Sequence, residues 1–183
     1  NYLYKNPLFK DVPIKQAVQD DSKSFFALKM KVKNKIVADG IADPSFDMRN
    51  KGKYVNAEAF NRLAADPGTI IIDMRNHYEY EVGHFEKAIE IPSDTFRDQL
   101  PMAVDMLKDQ KDKNIIMYCT GGIRCEKAAL YMHELGLTNV LQLDGGILKY
   151  FEETDGRHWQ GECFVFDERE ALAPDLSARV QGT

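Results

Sequence analysis

From Tyr54 onward, short apolar runs alternate with longer stretches of helical character, and this alternation restricts the fold more than any other feature of the chain. Ile70-Ile71-Ile72 and Ile115-Ile116-Met117-Tyr118 are apolar at every position, as expected of strands buried on both faces. Lys53-Tyr54-Val55, Ala88-Ile89-Glu90-Ile91-Pro92 and Asn139-Val140-Leu141-Gln142-Leu143 read as three further strands. Helices fill the intervals. One is capped by Asn56, with Glu58 in its first turn, and runs through Ala65. A second is capped by Ser93 and runs from Asp94 to about Lys108, with Pro101 expected to split it. A third follows Cys119 and is closed by Gly136. A fourth runs from Ile147 to Glu153, after the turn Asp144-Gly145-Gly146. Strands that alternate with helices predict an α/β fold: a parallel five-stranded sheet flanked by helices.

In such sheets, ligands bind at the carboxyl ends of the strands. Cys119-Thr120-Gly121-Gly122-Ile123-Arg124-Cys125 stands at one such end, between an apolar strand and the helix that begins near Glu126. Helix-terminal N–H groups and the positive end of the macrodipole stabilise an anion there. A thiolate is such an anion, so Cys119 is expected to be a nucleophile with a depressed pKa. Gly121 and Gly122 let backbone N–H groups curl inward, and Arg124 adds a fixed positive charge. Four residues separate Cys119 from Arg124. Cysteine phosphatases use five, which makes room for a phosphate. The shorter loop fits a smaller anion centred on the cysteine, such as a persulfide sulfur. Cys125 either resolves an oxidised Cys119 as a disulfide or packs the first turn of the helix.

Composition narrows the setting. Of 183 residues, 44% are hydrophobic and 29% charged, which describes a globular protein. No run is long enough to span a bilayer, and the first residues do not form a signal peptide. The chain does not begin with Met and reads as part of a longer protein. Three cysteines at wide or awkward spacing do not suggest a disulfide framework and predict a reducing compartment, hence the cytoplasm. There is no zinc-type Cys/His spacing, no non-haem iron triad and no flavin or nicotinamide fingerprint, so no metal or cofactor is identified from the residues. The oligomeric state has no signature.

Other residues carry weaker signals. Leu28, Met30, Val32 and Ile36 alternate with Lys29, Lys31, Lys33 and Lys35. The lysines form either the solvated face of a sheet or a comb that meets phosphates. Asp73 and Arg75 form a charged wall beside the site, an internal ion pair, or both. His84 reads as a structural histidine and Cys163 as a core residue. Tyr78, Tyr80, Tyr118 and Tyr131 have the chemistry to stack a base, but read first as core.

Residues from about 54 to 155 resemble a rhodanese domain along their whole length. Asp73-Met74-Arg75, Tyr78-Glu79-Tyr80, Gly83-His84-Phe85, Ala88, Ile91-Pro92, the Cys119 loop and Asp144-Gly145-Gly146-Ile147 fall in that family's order. Lys87 departs from it, standing where the family often has Gly. Three stretches resemble the tRNA uridine hydroxylase family more narrowly: Tyr118 to Ala128, Gly145 to Glu152, and Trp159 to Asp167. The resemblance implies that residues 1–37 are the end of an acylphosphatase-like, ferredoxin-type α+β domain. Residues 38–53 would be a linker, 54–155 the rhodanese domain and 156–183 a C-terminal tail. It also implies oxygen-dependent 5-hydroxylation of the wobble uridine of tRNA, with molecular oxygen as co-substrate. Cys119 would be the essential cysteine and Arg124 its loop partner, and the lysine comb would hold the anticodon arm. The bare loop chemistry alone points instead to a persulfide-forming sulfurtransferase. An intact Cys119 argues against a scaffold without catalysis.

Overall fold

The computed structural model describes residues 3–10, 31–32, 39–41 and 52–178. Lys29, Lys33 and Lys35 lie outside the described residues, as does most of the expected end of a ferredoxin-like domain.

Five parallel strands form the central sheet. They are β1 (Lys53–Val55), β2 (Ile70–Asp73), β4 (Ile89–Glu90), β5 (Ile115–Tyr118) and β6 (Val140–Leu143), in the spatial order β1-β6-β5-β2-β4. The register pairs Ile70 with Ile115 and Asp73 with Tyr118. Strands β2 and β5, built on the two apolar runs, lie side by side in the interior of the sheet, where both faces are covered. The five-stranded parallel sheet read from the sequence is therefore the one observed.

Alternation along these strands divides the core in two. Ile72, Ile115 and Met117 face helices α3 (Phe96–Leu107) and α4 (Ile123–Glu134). Ile71, Ile116 and Tyr118 face α1 (Ala57–Ala64) and α5 (Gly146–Glu153). On that second face, Phe85 is the hub of an aromatic cluster. Its ring centroid lies 4.4 Å from that of Phe60, 4.8 Å from those of Tyr118 and Tyr150, and 5.0 Å from that of Trp159.

The helix ends follow their caps. Asn56 accepts the Ala59 N–H at 2.9 Å and starts α1. Helix α3 differs from expectation. Its cap is Thr95, whose hydroxyl accepts the Asp98 N–H, while the Ser93 hydroxyl instead accepts the Thr95 N–H and orders the preceding turn. Pro101 does not split this helix. It forfeits one backbone hydrogen bond, and burial of Leu100, Ala103 and Leu107 on the same face holds the helix continuous.

Three features had no counterpart in the sequence reading. Helix α2 (His77–Val82) follows β2, and strand β3 (Gly83–Phe85) follows it directly. β3 pairs antiparallel with β7 (Trp159–Gly161). Strands β8 (Cys163–Phe164) and β9 (Ala171–Leu172) form a small hairpin, and β8 packs against α2. The stretch after α5 thus pairs back onto β3, packs on α2 and buries Trp159, Cys163 and Val165. In the turn between β3 and β4, Lys87 holds φ 63°, a conformation that a glycine enters freely.

Candidate active site at the Cys119 loop

Strand β5 delivers Cys119 to the carboxyl edge of the sheet, and α4 begins four residues later at Ile123. The loop closes over the sulfur itself. Gly122 takes φ 90°, which lets its N–H turn inward and donate to Cys119 Sγ at 3.1 Å. Cys119 is almost wholly buried and Cys125, in the first turn of α4, is completely so. Ile123, between them, is half exposed.

A second glycine pair braces the loop from outside. Ile147 N–H donates to Cys119 O at 3.1 Å, and Leu148 N–H to Thr120 O at 3.2 Å, so the first turn of α5 hydrogen-bonds the backbone of the cysteine loop. Gly146 makes that approach possible. A Cβ there would lie 2.4 Å from Cys119 O and 2.7 Å from Thr120 O. By contrast, a Cβ on Gly121 would meet nothing within 4 Å.

Arg124 is held by Glu79. Its guanidinium donates to both carboxylate oxygens, at 2.7 and 2.8 Å, in a bidentate pair. The Thr120 hydroxyl donates to the same carboxylate at 3.3 Å. Glu79 Oε2 also accepts the Asn76 N–H at 3.0 Å, which ties the carboxylate to the start of α2. Glu79 is completely buried. Sequence reasoning assigned it no role. The available signal was Asn-x-x-Glu at the head of a short helix, which marks a cap but does not announce an arginine from another element.

Asp73 and Arg75 are brought together but lie inside the molecule, both fully buried. Arg75 donates to Asp73 through Nε at 3.0 Å and Nη2 at 2.6 Å, and through Nη2 to Gly83 O at 2.6 Å. Its guanidinium lies over the rings of Tyr118 and Trp159, 5.6 and 5.2 Å from their centroids. The pair ties the ends of β2 and β5 to β3 beneath the site. His84 stacks on Tyr80 at 4.0 Å, with Nδ1 3.0 Å from Tyr80 O. Lys31, the described member of the lysine comb, is exposed. Among the described residues, no group of three or more His, Cys, Asp or Glu is placed to hold a metal ion. No helix among them is long and apolar enough to cross a membrane.

The electrostatics separate the two loop cysteines. The Cys119 pKa is lowered to about 5. A hydrogen bond from the Cys125 thiol is the largest cause; burial opposes it, and the Arg124 charge and backbone N–H groups at the head of α4 add to it. The Cys125 thiol is pushed well above its usual range by burial and by the sulfur beside it. Burial opposes the Arg124 charge, but bound Glu79 and the nearby Cys119 sulfur outweigh it and raise its pKa. Burial also pushes Cys163 up to about 12. Near neutral pH the site thus holds one thiolate among neutral thiols.

That difference predicts a titration. Labelling of Cys119 by a small alkylating agent is expected to rise with pH through about 5 and to level off by neutral pH. An ordinary thiol rises through about 8.5. Trypsin cleaves after Arg124 and separates Cys119 from Cys125, so peptide mass spectrometry reads each cysteine alone. A midpoint near 8.5 would show that the loop does not activate the sulfur.

The family model "Rhodanese-like domain" matches residues 56–153. The chain is 53% identical over 179 residues to a protein of Pectobacterium atrosepticum named "tRNA uridine(34) hydroxylase", covering 94% of this chain and 50% of that protein. A protein of the same name from Yersinia enterocolitica is 54% identical over 179 residues, covering 94% and 51%. The chain thus spans about half the length of the curated relatives it matches. Among solved structures, it is similar to a rhodanese-like domain from Anabaena, with a TM-score of 0.48 and 21% identity, covering 59% of this chain and 78% of that one. The matched segment spans more than half of the chain, from the cap of α1 to the end of α5, and encloses the whole cysteine loop: the chain belongs to the rhodanese-like domain family.

Proposed function

We propose that this protein is a tRNA-modifying enzyme that hydroxylates C5 of the wobble uridine, with Cys119 as its essential group. One observation carries the reading. Similarity to proteins named tRNA uridine(34) hydroxylase extends over 94% of the chain and so includes the Cys119 loop. The geometry is consistent with it. A buried thiolate at the carboxyl edge of the sheet is a nucleophile suited to a polarised ring carbon. Addition of Cys119 Sγ to C6 of uracil turns C5 into an enolate carbon. Attack of that carbon on molecular oxygen, the proposed co-substrate, with uptake of one proton gives a C5 hydroperoxide. A two-electron reductant and two protons reduce it to the alcohol and release water. Loss of the C5 proton then expels the thiolate. Arg124 and Gly122 hold the sulfur in place and stabilise its charge as it returns. Under this reading the partner is the anticodon arm of tRNA in the cytoplasm. Lys29, Lys31, Lys33 and Lys35 are the proposed phosphate contacts.

A second reading rests on a different observation: the loop closes on the sulfur itself, with the Gly122 N–H 3.1 Å from Sγ. That cradle suits a persulfide-forming sulfurtransferase. Nucleoside mass spectrometry of tRNA from cells with and without the gene separates the two. Loss of 5-hydroxyuridine derivatives on deletion supports the hydroxylase. Unchanged hydroxylation with loss of a thiolated nucleoside supports the transferase.

A further inference from the structure

Tyr78, Phe164 and Phe166 form a surface aromatic ladder that runs from α2 onto the β8–β9 hairpin. The Tyr78 and Phe164 ring centroids are 5.3 Å apart at 77°, and those of Phe164 and Phe166 are 5.1 Å apart at 81°. Phe164 is half-buried and anchors the ladder through β8, which packs on α2. The outer members are open: Phe166, at the tip of the β8–β9 hairpin, is 64% exposed and Tyr78 is 41% exposed. Tyr78 also carries a polar handle, since its hydroxyl accepts from the Asn76 amide at 2.9 Å.

The ladder's position gives it meaning. Tyr78 directly precedes Glu79, which grips Arg124, and Cys163, which directly precedes Phe164 in β8, lies close enough to feel the charges of both, so the ladder stands on the two elements that flank the ion pair of the cysteine loop. Cys119 is 2% exposed. A base that reaches such a sulfur must leave its stack, and the unpaired neighbours it leaves behind lose their own stacking. Edge-to-face rings with free outer faces are the chemistry that restores it. We infer that Tyr78 and Phe166 form a stacking platform for unpaired nucleobases next to the base presented to Cys119. The occupant is a single-stranded RNA loop, and the inference rests on the tRNA reading above.

The test uses the full-length protein and two fluorescent probes: an anticodon stem-loop RNA with an unpaired seven-nucleotide loop, and the same stem closed as a duplex without a loop. Tyr78→Ala and Phe166→Ala are each expected to weaken stem-loop binding by about 5- to 150-fold, the range for loss of one base–aromatic stack. Duplex binding should stay unchanged. Phe166→Trp should keep affinity, whereas Phe166→Leu, which retains apolar bulk without a ring, should lose it. Equal stem-loop affinity in wild type and both Ala variants overturns the platform while leaving the tRNA reading intact. A fall in thermal midpoint with Phe166→Ala that Phe166→Leu restores together with affinity also overturns it, because the patch is then a packing face covered by another part of the protein. Wild-type protein that binds neither probe overturns the platform and the tRNA reading together.

Discussion

Replacing Arg75 with methionine is expected to cost about 3–5 kcal/mol of stability, the range for breaking a buried ion pair by removing one partner. The side chains of Arg75 and Asp73 are both 0% exposed. Methionine fills much of the volume but leaves the Asp73 carboxylate in the core without its guanidinium partner. It also removes the donor to Gly83 O and the cation over Tyr118 and Trp159. Urea denaturation reads the loss as a fall in midpoint at unchanged slope. Arg75→Lys should recover only part of it, because an ammonium cannot reach Asp73 and Gly83 in the same fork. A double replacement, Asp73→Leu with Arg75→Met, should be less damaging than Arg75→Met alone, since no unpaired charge then remains buried. A loss below about 1 kcal/mol for Arg75→Met would show that water reaches Asp73, and that the pair belongs to the site wall and not to the core.

Gly146→Ala is expected to damage both stability and chemistry. The residue sits at φ 69°, where an alanine costs about 1–2 kcal/mol on backbone grounds alone. Its Cβ would also fall 2.4 Å from Cys119 O, 2.7 Å from Thr120 O and 2.8 Å from Gly122 N. All three are backbone atoms of the cysteine loop, so relief requires the loop to move. The variant should lose more than about 2 kcal/mol. Its Cys119 alkylation midpoint should climb from about 5 toward the ordinary thiol range, as the displaced loop carries the sulfur away from the Cys125 thiol, the Arg124 charge and the N–H groups at the head of α4. Gly121→Ala is the control, with open space around the added methyl. If Gly146→Ala keeps both the stability and the low midpoint, the α5 brace is not what shapes the loop.

These two positions show what a sequence discloses and what it does not. The strands β2 and β5 and the cysteine loop were legible because their signals are local. A wholly apolar run needs cover on both faces, and a cysteine between a strand and a helix with paired glycines needs no distant partner to be read. The role of Arg75 was left open because Asp-x-Arg at a strand end is the same pattern whether the pair faces solvent or core. Burial by β3, β7 and Trp159 decides it, and those elements are short strands defined only by pairing across the chain. Glu79 was missed for the same reason. His77-Tyr78-Glu79-Tyr80-Glu81 offers two acids on one short helix, and only the fold shows that Arg124 reaches the first. Thr95 displaced Ser93 as a cap because both residues suit the role, and packing of Phe96 and Leu100 selects the start of α3.

The proposed hydroxylation depends on Cys119. The direct measurement is nucleoside mass spectrometry of tRNA from cells that lack the gene, grown under ¹⁸O₂ and complemented with full-length wild type or Cys119→Ala at equal protein level. The expected result is ¹⁸O in 5-hydroxyuridine derivatives with wild type and none with Cys119→Ala. Restoration of the labelled nucleoside by Cys119→Ala would contradict the account, because the hydroxylation would then proceed without the thiolate that the loop is built to hold.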